Sequence, residues 1–249
     1  RGRHDAAGCC APVRILHVSD VYFPRVNGVS TSIRTFRAEL DALGHPSVLV
    51  CPAYPGAPDE AGVLRIPARA VPLDPEDRAM RWADLRALPR TLAREPFDLV
   101  HIQTPFLAHY AGLRLARARG VPAVATYHTL FEEYLHHYVP LAPRLLTRAL
   151  ARRFSRGQCN ALDAVVVPSA PMRAALAAYG VTAPMEIIPT GIPLADFARG
   201  DGAAFRARHG IRADRPMLLY VGRVAHEKNI GFLVDVLGEV RKRVPDALL

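Results

Sequence analysis

The chain has 249 residues, of which 50% are hydrophobic and 22% are charged, a composition typical of one large or two small globular domains. Its apolar runs, such as residues 217–221, are far shorter than the roughly 18 residues of a membrane-spanning helix, so none is predicted. The formal net charge of +9 at pH 7 favours anionic partners such as nucleic acid, phosphorylated small molecules or an acidic membrane face.

The predicted elements alternate in chain order between short apolar strands and helices. Residues 13–19 predict a buried strand, residues 24–28 a loop and residues 30–43 a helix. Further strands are predicted at 46–51, 62–66, 98–102, 122–126, 164–167 and 186–189, and helices at 107–119 and 170–178. This alternation predicts an α/β fold with a parallel sheet covered on both faces.

The domain organisation is predicted from a change in the sequence pattern near Ile192, where the alternation of strands and helices gives way to a polar stretch. Residues 1–12 are predicted to be a disordered N-terminal segment, and residues 13–197 to form the first domain. Residues 198–249 then open a second α/β domain. Its predicted elements are a helix at 203–209, a strand at 216–221 and a helix at 230–244. We expect this second domain to be incomplete and both ends to be cut from a longer protein.

The lysines and cysteines carry separate information. Of the 32 Lys and Arg residues only Lys228 and Lys242 are lysines. Because the sequence otherwise uses arginine, a lysine at these two positions favours a functional role for its ammonium group. The four cysteines show no Cys-x-x-Cys spacing, which indicates neither a zinc site nor a disulfide framework and suits a reduced cytoplasmic setting. The basic N-terminus is not followed by an apolar stretch of the signal-peptide type.

The first candidate site is the loop 23–31, between the first strand and the first helix, and its candidate binding residues are Asn27, Gly28 and Val29. Ligands of parallel sheets lie beyond the carboxyl ends of the strands, and a helix start offers free N–H groups to phosphate. Gly28 would let the backbone approach an anion closely. Neither a Gly-x-Gly-x-x-Gly fingerprint nor a Walker loop is present, and a plain strand-to-helix turn is the alternative.

The second candidate is His128, just beyond the predicted strand 122–126, where it is well placed for hydrogen bonding or proton transfer. A structural histidine is the alternative. Beyond it, the pairs Glu132/His136 and Glu133/His137 have the i, i+4 spacing of ion pairs or metal ligands. The zincin order His-Glu-x-x-His is absent, so we predict no metal site.

The third candidate is the segment 222–229, between the first strand and the next helix of the second domain. Arg223 and Lys228 flank a predicted helix N-terminus, and two cations there make a diphosphate site. A salt bridge from Glu227 to either cation is the alternative, and the rarity of lysine favours the functional interpretation.

The fourth candidate is a basic helix within residues 141–156. Arg144, Arg148 and Arg152 recur at i, i+4, with Arg153 and Arg156 at the edge of the same face. Apolar residues gather on the other side, namely Leu145, Leu146, Ala149, Leu150 and Phe154. Such a helix can lie in an anionic membrane surface, although soluble helices with a solvated arginine face have the same pattern.

Taken in order, these loops resemble family 4 of the retaining glycosyltransferases, which have the two-domain GT-B fold. The resemblance covers about residues 13–249. It rests on the pieces 19–24 with 27–30, 44–45, Tyr127-His128-Thr129, 167–169, 188–192 and Gly222-Arg223 with Glu227-Lys228-Asn229. The segment 128–134 and the basic helix after it are most similar to the bacterial enzymes that glycosylate diacylglycerol.

The resemblance implies a Rossmann-like, doubly wound parallel sheet and the beginning of a second Rossmann-like domain. It also implies roles for individual residues. His128, Arg223 and Lys228 would be catalytic, with His128 on the donor sugar and the two cations on the diphosphate. The donor would further contact Asn27, Gly28, Val29 and Gly222. The acceptor would lie near Asp20, Glu132 and Tyr134, and the membrane would contact Arg144, Arg148, Arg152 and Arg153.

The expected function is transfer of a hexose from a nucleotide sugar, UDP- or GDP-linked, to a hydroxyl of a membrane lipid such as diacylglycerol, with retention of configuration and without a cofactor or metal. Alternatives are a soluble or polyprenyl-linked sugar acceptor, or a non-catalytic nucleotide- or phosphate-binding module. Nucleic acid is not an expected partner, because no helix-turn-helix, zinc-finger or aromatic-rich pattern is present. The protein is expected in the cytoplasm, peripheral on the inner face of the plasma membrane.

One departure from the family bears on activity. The Glu-x7-Glu element that holds the donor ribose and sugar in the second domain does not occur within these 249 residues. The chain by itself is therefore predicted to be inactive and its parent protein active.

Overall fold

The computed structural model describes residues 11–71, 74–128, 144–192, 194, 198–222, 224 and 228–249. The chain divides into two compact units, Arg1–Ile192 and Pro193–Leu249. Residues 1–10 of the segment predicted to be disordered lie outside the described residues, and the domain limits drawn from the sequence stay predictions.

The described strands and helices of the first unit follow the predicted alternation. The strands are β1 (Ile15–Val18), β2 (Ser47–Pro52), β3 (Val63–Ile66), β4 (Ala68–Val71), β5 (Asp74–Met80), β6 (Leu99–Ile102), β7 (Ala123–Thr126), β8 (Ala164–Val167) and β9 (Met185–Ile187). The helices are α1 (Gly28–Ala42), α2 (Trp82–Thr91), α3 (Leu107–Arg119), α4 (Arg144–Cys159) and α5 (Ala170–Ala178).

Seven of these strands form one sheet in the order β3-β2-β1-β6-β7-β8-β9, and all their pairs are parallel. The strands β4 and β5 form a separate antiparallel pair. Parallel neighbours need long crossover connections. Helices lie in most of them, whereas residues 53–62, which join β2 to β3, contain no helix. The predicted α/β fold with a parallel, doubly wound sheet is confirmed.

Both faces of the central strands are buried. Leu16 and Val18 of β1 belong to the main core, to which α2 and α3 contribute Leu85, Leu88 and Leu115. Because side chains alternate along a strand, His17 lies on the opposite face, the side of α1. Helix α3 packs closely on β6: a Cβ atom on Gly112 would lie 2.6 Å from Ile102 Cγ1.

The sequence missed three elements and misjudged one. It predicted nothing at β4 and β5 or at α2, which contains Pro89, a residue that normally interrupts a helix. The predicted strand at 216–221 is wrong as a strand: within the described residues it makes one parallel bridge, between Met217 and Leu248. A strand requires a ladder of neighbouring pairs, and this segment has a single one.

The second unit contains two described helices, α6 (Gly202–Arg208) and α7 (Ile230–Arg241). Asp201 begins α6 by accepting a hydrogen bond from the Ala204 N–H at 2.9 Å. Within the part of the chain that the structure describes, no helix combines the length and hydropathy needed to cross a bilayer.

Candidate functional site

The carboxyl ends of three neighbouring strands, β1, β6 and β7, bring polar side chains together at one edge of the sheet. Asp20 follows β1, Gln103 and Thr104 follow β6, and His128 follows β7. The Asp20 N–H donates to Thr104 Oγ1 at 2.7 Å, and Gln103 Oε1 lies 3.1 Å from His128 Nε2. This is the edge at which parallel α/β sheets bind ligands.

A row of hydrogen bonds runs from this edge into the sheet. Gln103 Nε2 lies 3.0 Å from Nδ1 of His17, a residue in the middle of β1. His101, in register with His17 on β6, hydrogen-bonds through Nε2 to Thr126 Oγ1 at 2.8 Å. The rings of His17 and His101 are 5.0 Å apart between centroids. The polar edge therefore continues into buried imidazoles.

Burial keeps these imidazoles neutral at neutral pH. It lowers the pKa of His128 to about 4, and together with the nearby charge of His128 it lowers the pKa of His101 to about 3. The pKa of His17 also falls well below its ordinary value, mainly through burial. Of the two roles that the sequence left open for His128, the neutral ring favours hydrogen bonding over proton donation.

Asp20 has a structural role that the sequence did not reveal. Its Oδ2 accepts from Thr104 Oγ1 at 2.8 Å, and its Oδ1 accepts from the Ala108 N–H at 3.0 Å. Phe106, at the start of α3, has no polar side chain to cap that helix. Asp20 thus caps α3 from β1, and its role toward an acceptor stays a prediction.

We expect the contribution of Asp20 to the stability of the fold to decrease as pH rises, the opposite of the usual effect of a carboxylate. Burial raises its pKa from 3.8 to about 6, although the bonds from Thr104 and the α3 backbone oppose this rise. Since the folded state then binds the proton more tightly, the stabilisation is complete below pH 3.8 and is lost as pH rises through about 6. Relative to Asp20→Asn, the wild-type free energy of unfolding should fall by up to about 3 kcal/mol across this range.

Urea unfolding of both proteins between pH 4 and pH 7 measures this difference. The asparagine keeps an oxygen for the Ala108 N–H and does not titrate, so it is the matched reference. A difference that stays constant, or that grows in favour of the wild type as pH rises, would contradict the prediction.

The N-terminus of α1 is open to an anion. Asn27 Oδ1 accepts from the Ser30 N–H at 2.8 Å and so caps the helix. The N–H groups of Gly28 and Val29 precede that of Thr31, which is the first to donate within the helix, to the Asn27 carbonyl, and they need partners from elsewhere. A Cβ on Gly28 would meet no atom of the described residues within 4 Å. The predicted contact therefore falls on the backbone of Gly28 and Val29, while the side-chain oxygen of Asn27 serves the helix.

The second unit has an open helix N-terminus of its own, at α7. Lys228 is exposed beside it. Asn229 adopts a left-handed conformation at φ +48° and, within the described residues, makes no side-chain cap. A cation beside uncapped N–H groups suits a phosphate. Gly222 belongs to the same segment, whereas Arg223 lies outside the described residues.

Several predicted residues cannot be placed in this picture. Glu132, Tyr134 and the pairs Glu132/His136 and Glu133/His137 lie outside the described residues. Among the residues that are described, no three His, Cys, Asp or Glu side chains are grouped to hold a metal ion.

Helix α4 packs on its domain through an unexpected face. Its buried residues are Thr147, Ala151, Ser155, Gln158 and Cys159. Ser155 Oγ lies 2.7 Å from Tyr127 Oη, and Gln158 Nε2 donates to the Pro105 carbonyl. Small and polar side chains, and not leucines, therefore hold this helix.

The outward face of α4 carries both apolar and basic side chains. Leu145 is 83% exposed, and Leu146 and Leu150 are each 53% exposed. Arg148, Arg152 and Arg153 are exposed as well, and α4 begins at Arg144. We call these three leucines and three arginines of the described helix the α4 outer face.

Gln103 and Thr104 are site residues that the sequence analysis missed. Both directly follow the buried strand β6, so the criterion that selected His128 would also have found them. What the sequence does not contain is their contact with His128 and Asp20, which comes from neighbouring strands.

The parallel sheet, its polar carboxyl edge and the open helix N-termini define an α/β chain of the GT-B type. Solved structures of this fold include sucrose-phosphate synthase from Thermosynechococcus elongatus, with a TM-score of 0.69, 22% identity and coverage of 95% of this chain and 61% of that chain. A glycosyltransferase from Rickettsia africae has a TM-score of 0.62, 15% identity and coverage of 93% and 58%. These likenesses concern the fold alone.

The chain belongs to Glycosyltransferase Family 4, whose profile matches residues 26–196. It is 31% identical over 239 residues to the alpha-monoglucosyldiacylglycerol synthase of Streptococcus pneumoniae, covering 92% of this chain and 53% of that protein. The synthase of the same name from Acholeplasma laidlawii is 28% identical, with coverage of 94% and 62%. The family assigned from the sequence is confirmed.

A GDP-mannose-dependent alpha-mannosyltransferase of Mycobacterium tuberculosis is also similar, at 28% identity and coverage of 90% of this chain and 59% of that protein. The chain therefore spans little more than half the length of the curated relatives that it matches.

Proposed function

We propose that this protein transfers a hexose from a nucleotide-sugar donor to the hydroxyl of a membrane lipid such as diacylglycerol, with retention of the anomeric configuration. Family membership and the two relatives named as alpha-monoglucosyldiacylglycerol synthases support the reaction and the acceptor class. The observation that carries the lipid part is the α4 outer face, which combines exposed leucines with exposed arginines.

His128 binds the donor sugar near the reacting carbon in this proposal. Its ring is neutral at neutral pH, so it offers a hydrogen bond to a sugar hydroxyl without adding charge. Its position at the carboxyl edge of the sheet suits such a contact. The role is therefore orientation of the sugar and not proton transfer to the leaving group.

Each unit, taken by itself, offers groups that suit an anionic part of the donor. The first unit has the N–H groups of Gly28 and Val29 at the start of α1, and the second unit has Lys228 beside the start of α7. Lys228, together with Arg223 and the backbone of Gly222, neutralises the charge that develops on the diphosphate as it leaves. The nucleotide sugar, UDP- or GDP-linked, is a substrate, and no cofactor takes part.

The α4 outer face binds the protein to the cytoplasmic leaflet. Each arginine near an anionic surface contributes about 1 kcal/mol, and exposed leucines add apolar area that enters the interface. The net charge of +9 acts in the same direction. The protein is therefore a peripheral enzyme whose acceptor is reached at the membrane surface.

The test uses the purified full-length protein with labelled UDP-glucose, UDP-galactose and GDP-mannose. Diacylglycerol in vesicles that contain anionic lipid is offered together with a soluble disaccharide. We expect label in the lipid, with the anomeric configuration of the donor kept in the product. Label in the soluble sugar alone would contradict the lipid acceptor, and nucleotide binding without any transfer would favour a binding module.

A further inference from the structure

We infer that Gln103 is a positioning residue: its side-chain amide, held between His17 and His128, fixes His128 in one tautomer and so decides which hydrogen bond that ring makes to the substrate. The inference rests on the function proposed above, because it specifies how His128 meets the sugar.

The geometry of Gln103 leaves its side chain little freedom. The residue is 1% exposed, and its backbone N–H donates to the Val18 carbonyl at 2.9 Å, which continues the pairing of β6 with β1. Its amide nitrogen lies 3.0 Å from His17 Nδ1, and its amide oxygen lies 3.1 Å from His128 Nε2. One side chain thus joins three neighbouring strands.

The chemistry of the amide then selects the tautomer. An amide oxygen only accepts hydrogen bonds and an amide nitrogen only donates them, whereas a neutral imidazole has one nitrogen of each kind. Because Gln103 Oε1 faces His128, Nε2 of His128 must carry the proton, and Nδ1 of the same ring keeps the lone pair. His128 therefore meets a sugar hydroxyl as an acceptor through Nδ1.

The surroundings keep the His17 and His128 rings neutral. The hydrogen bonds of the Gln103 amide, and not protonation to the charged form, therefore determine which ring nitrogen carries the proton. Burial lowers the pKa of His128 and that of His17, and the neighbouring His101 on β6 and the charge of Arg37 on α1 lower the pKa of His17 further. At its inner end the row stops at His17, whose Nε2 is buried without a partner among the described residues. Within the described part of the chain, the Gln103 amide hydrogen-bonds only to His17 and His128.

The experiment reads the tautomer directly, by long-range ¹H–¹⁵N correlation spectra of the full-length protein labelled with ¹⁵N-histidine. The His128 signals are assigned by their loss in His128→Asn. We expect wild-type His128 to carry its proton on Nε2 from pH 6 to pH 8. In Gln103→Leu we expect a mixture of tautomers and a fall of about tenfold in kcat/KM, the effect of one hydrogen bond.

Two further variants separate positioning from a structural effect. Gln103→Glu keeps an acceptor for His128 Nε2–H, so it should retain the tautomer, transfer sugar better than Gln103→Leu and raise the pH at which His128 titrates, because a carboxylate favours the charged ring. Gln158→Leu is the matched control, since it removes another buried glutamine whose amide bonds outside the row, and it should leave the His128 spectrum unchanged.

Either of two results would overturn the inference: a wild-type His128 protonated on Nδ1, or a Gln103→Leu protein with an unchanged His128 spectrum. If the protein transfers no sugar to any acceptor, the proposed function fails, and the spectra still decide whether Gln103 sets the tautomer.

Discussion

Replacing Lys228 with alanine is expected to lower kcat of sugar transfer by about 100- to 1,000-fold, the usual effect of removing one group that stabilises transition-state charge. The ammonium stands at the uncapped start of α7, where the helix end already favours negative charge. Without it the diphosphate leaves with its charge less well neutralised. Steady-state kinetics with the donor that the transfer assay identifies measures this effect.

The chain offers a matched control for this variant. Lys242 is the other lysine of the sequence, and it is exposed and paired with Glu239 at 2.6 Å near the far end of α7. Lys242→Ala removes the same charge and should leave kcat within about twofold. If Lys228→Ala transfers sugar as fast as Lys242→Ala does, Lys228 has no role in the reaction.

Changing Arg148, Arg152 and Arg153 together to glutamate is expected to weaken binding to vesicles that contain anionic lipid by about 100-fold or more. The estimate follows from about 1 kcal/mol for each basic residue at such a surface. Vesicle sedimentation at several salt concentrations measures it, and wild-type binding should weaken as salt rises. Since the Arg152 guanidinium also lies 5.4 Å from the centre of the Tyr179 ring, circular dichroism must first show that the variant is folded.

The control for the triple variant reverses the same number of charges elsewhere. Arg86, Arg90 and Arg94 are exposed four residues apart, along and just beyond α2. Their change to glutamate should reduce binding much less, because they lie outside the α4 outer face. Equal losses in the two triple variants would mean that net charge, and not this helix, drives association.

The central elements could be predicted from the sequence because their local signals agree with the fold. Helix α3 begins and ends where its pattern predicted, and Gly120 ends it in a left-handed conformation that glycine adopts easily. The strands β1 and β6 are short apolar runs between turn residues. The pair β4 and β5 carries no such signal, since β5 contains Pro75 and four charged residues.

The site was less predictable, because its contacts join residues that are distant in the sequence. His128 could be chosen from its place after a strand, but the bond from Ala108 to Asp20 spans 88 residues and has no local signal. The amphipathic pattern of α4 identified a helix and its basic face. It could not tell which side meets the domain, because here small polar residues form the buried face and the leucines do not.

The packing of α4 has a consequence for how this protein can be modified. The residues that attach the helix to its domain are Thr147, Ala151, Ser155, Gln158 and Cys159. They are distinct from the three exposed leucines, so under the proposed function membrane binding and folding depend on separate positions of one helix. The exposed leucines Leu145, Leu146 and Leu150 can be exchanged together with little change in stability, whereas Arg152 also contacts the Tyr179 ring. If the proposed membrane binding holds, exchanging these leucines would redirect the same domain to a different lipid surface or release it into water.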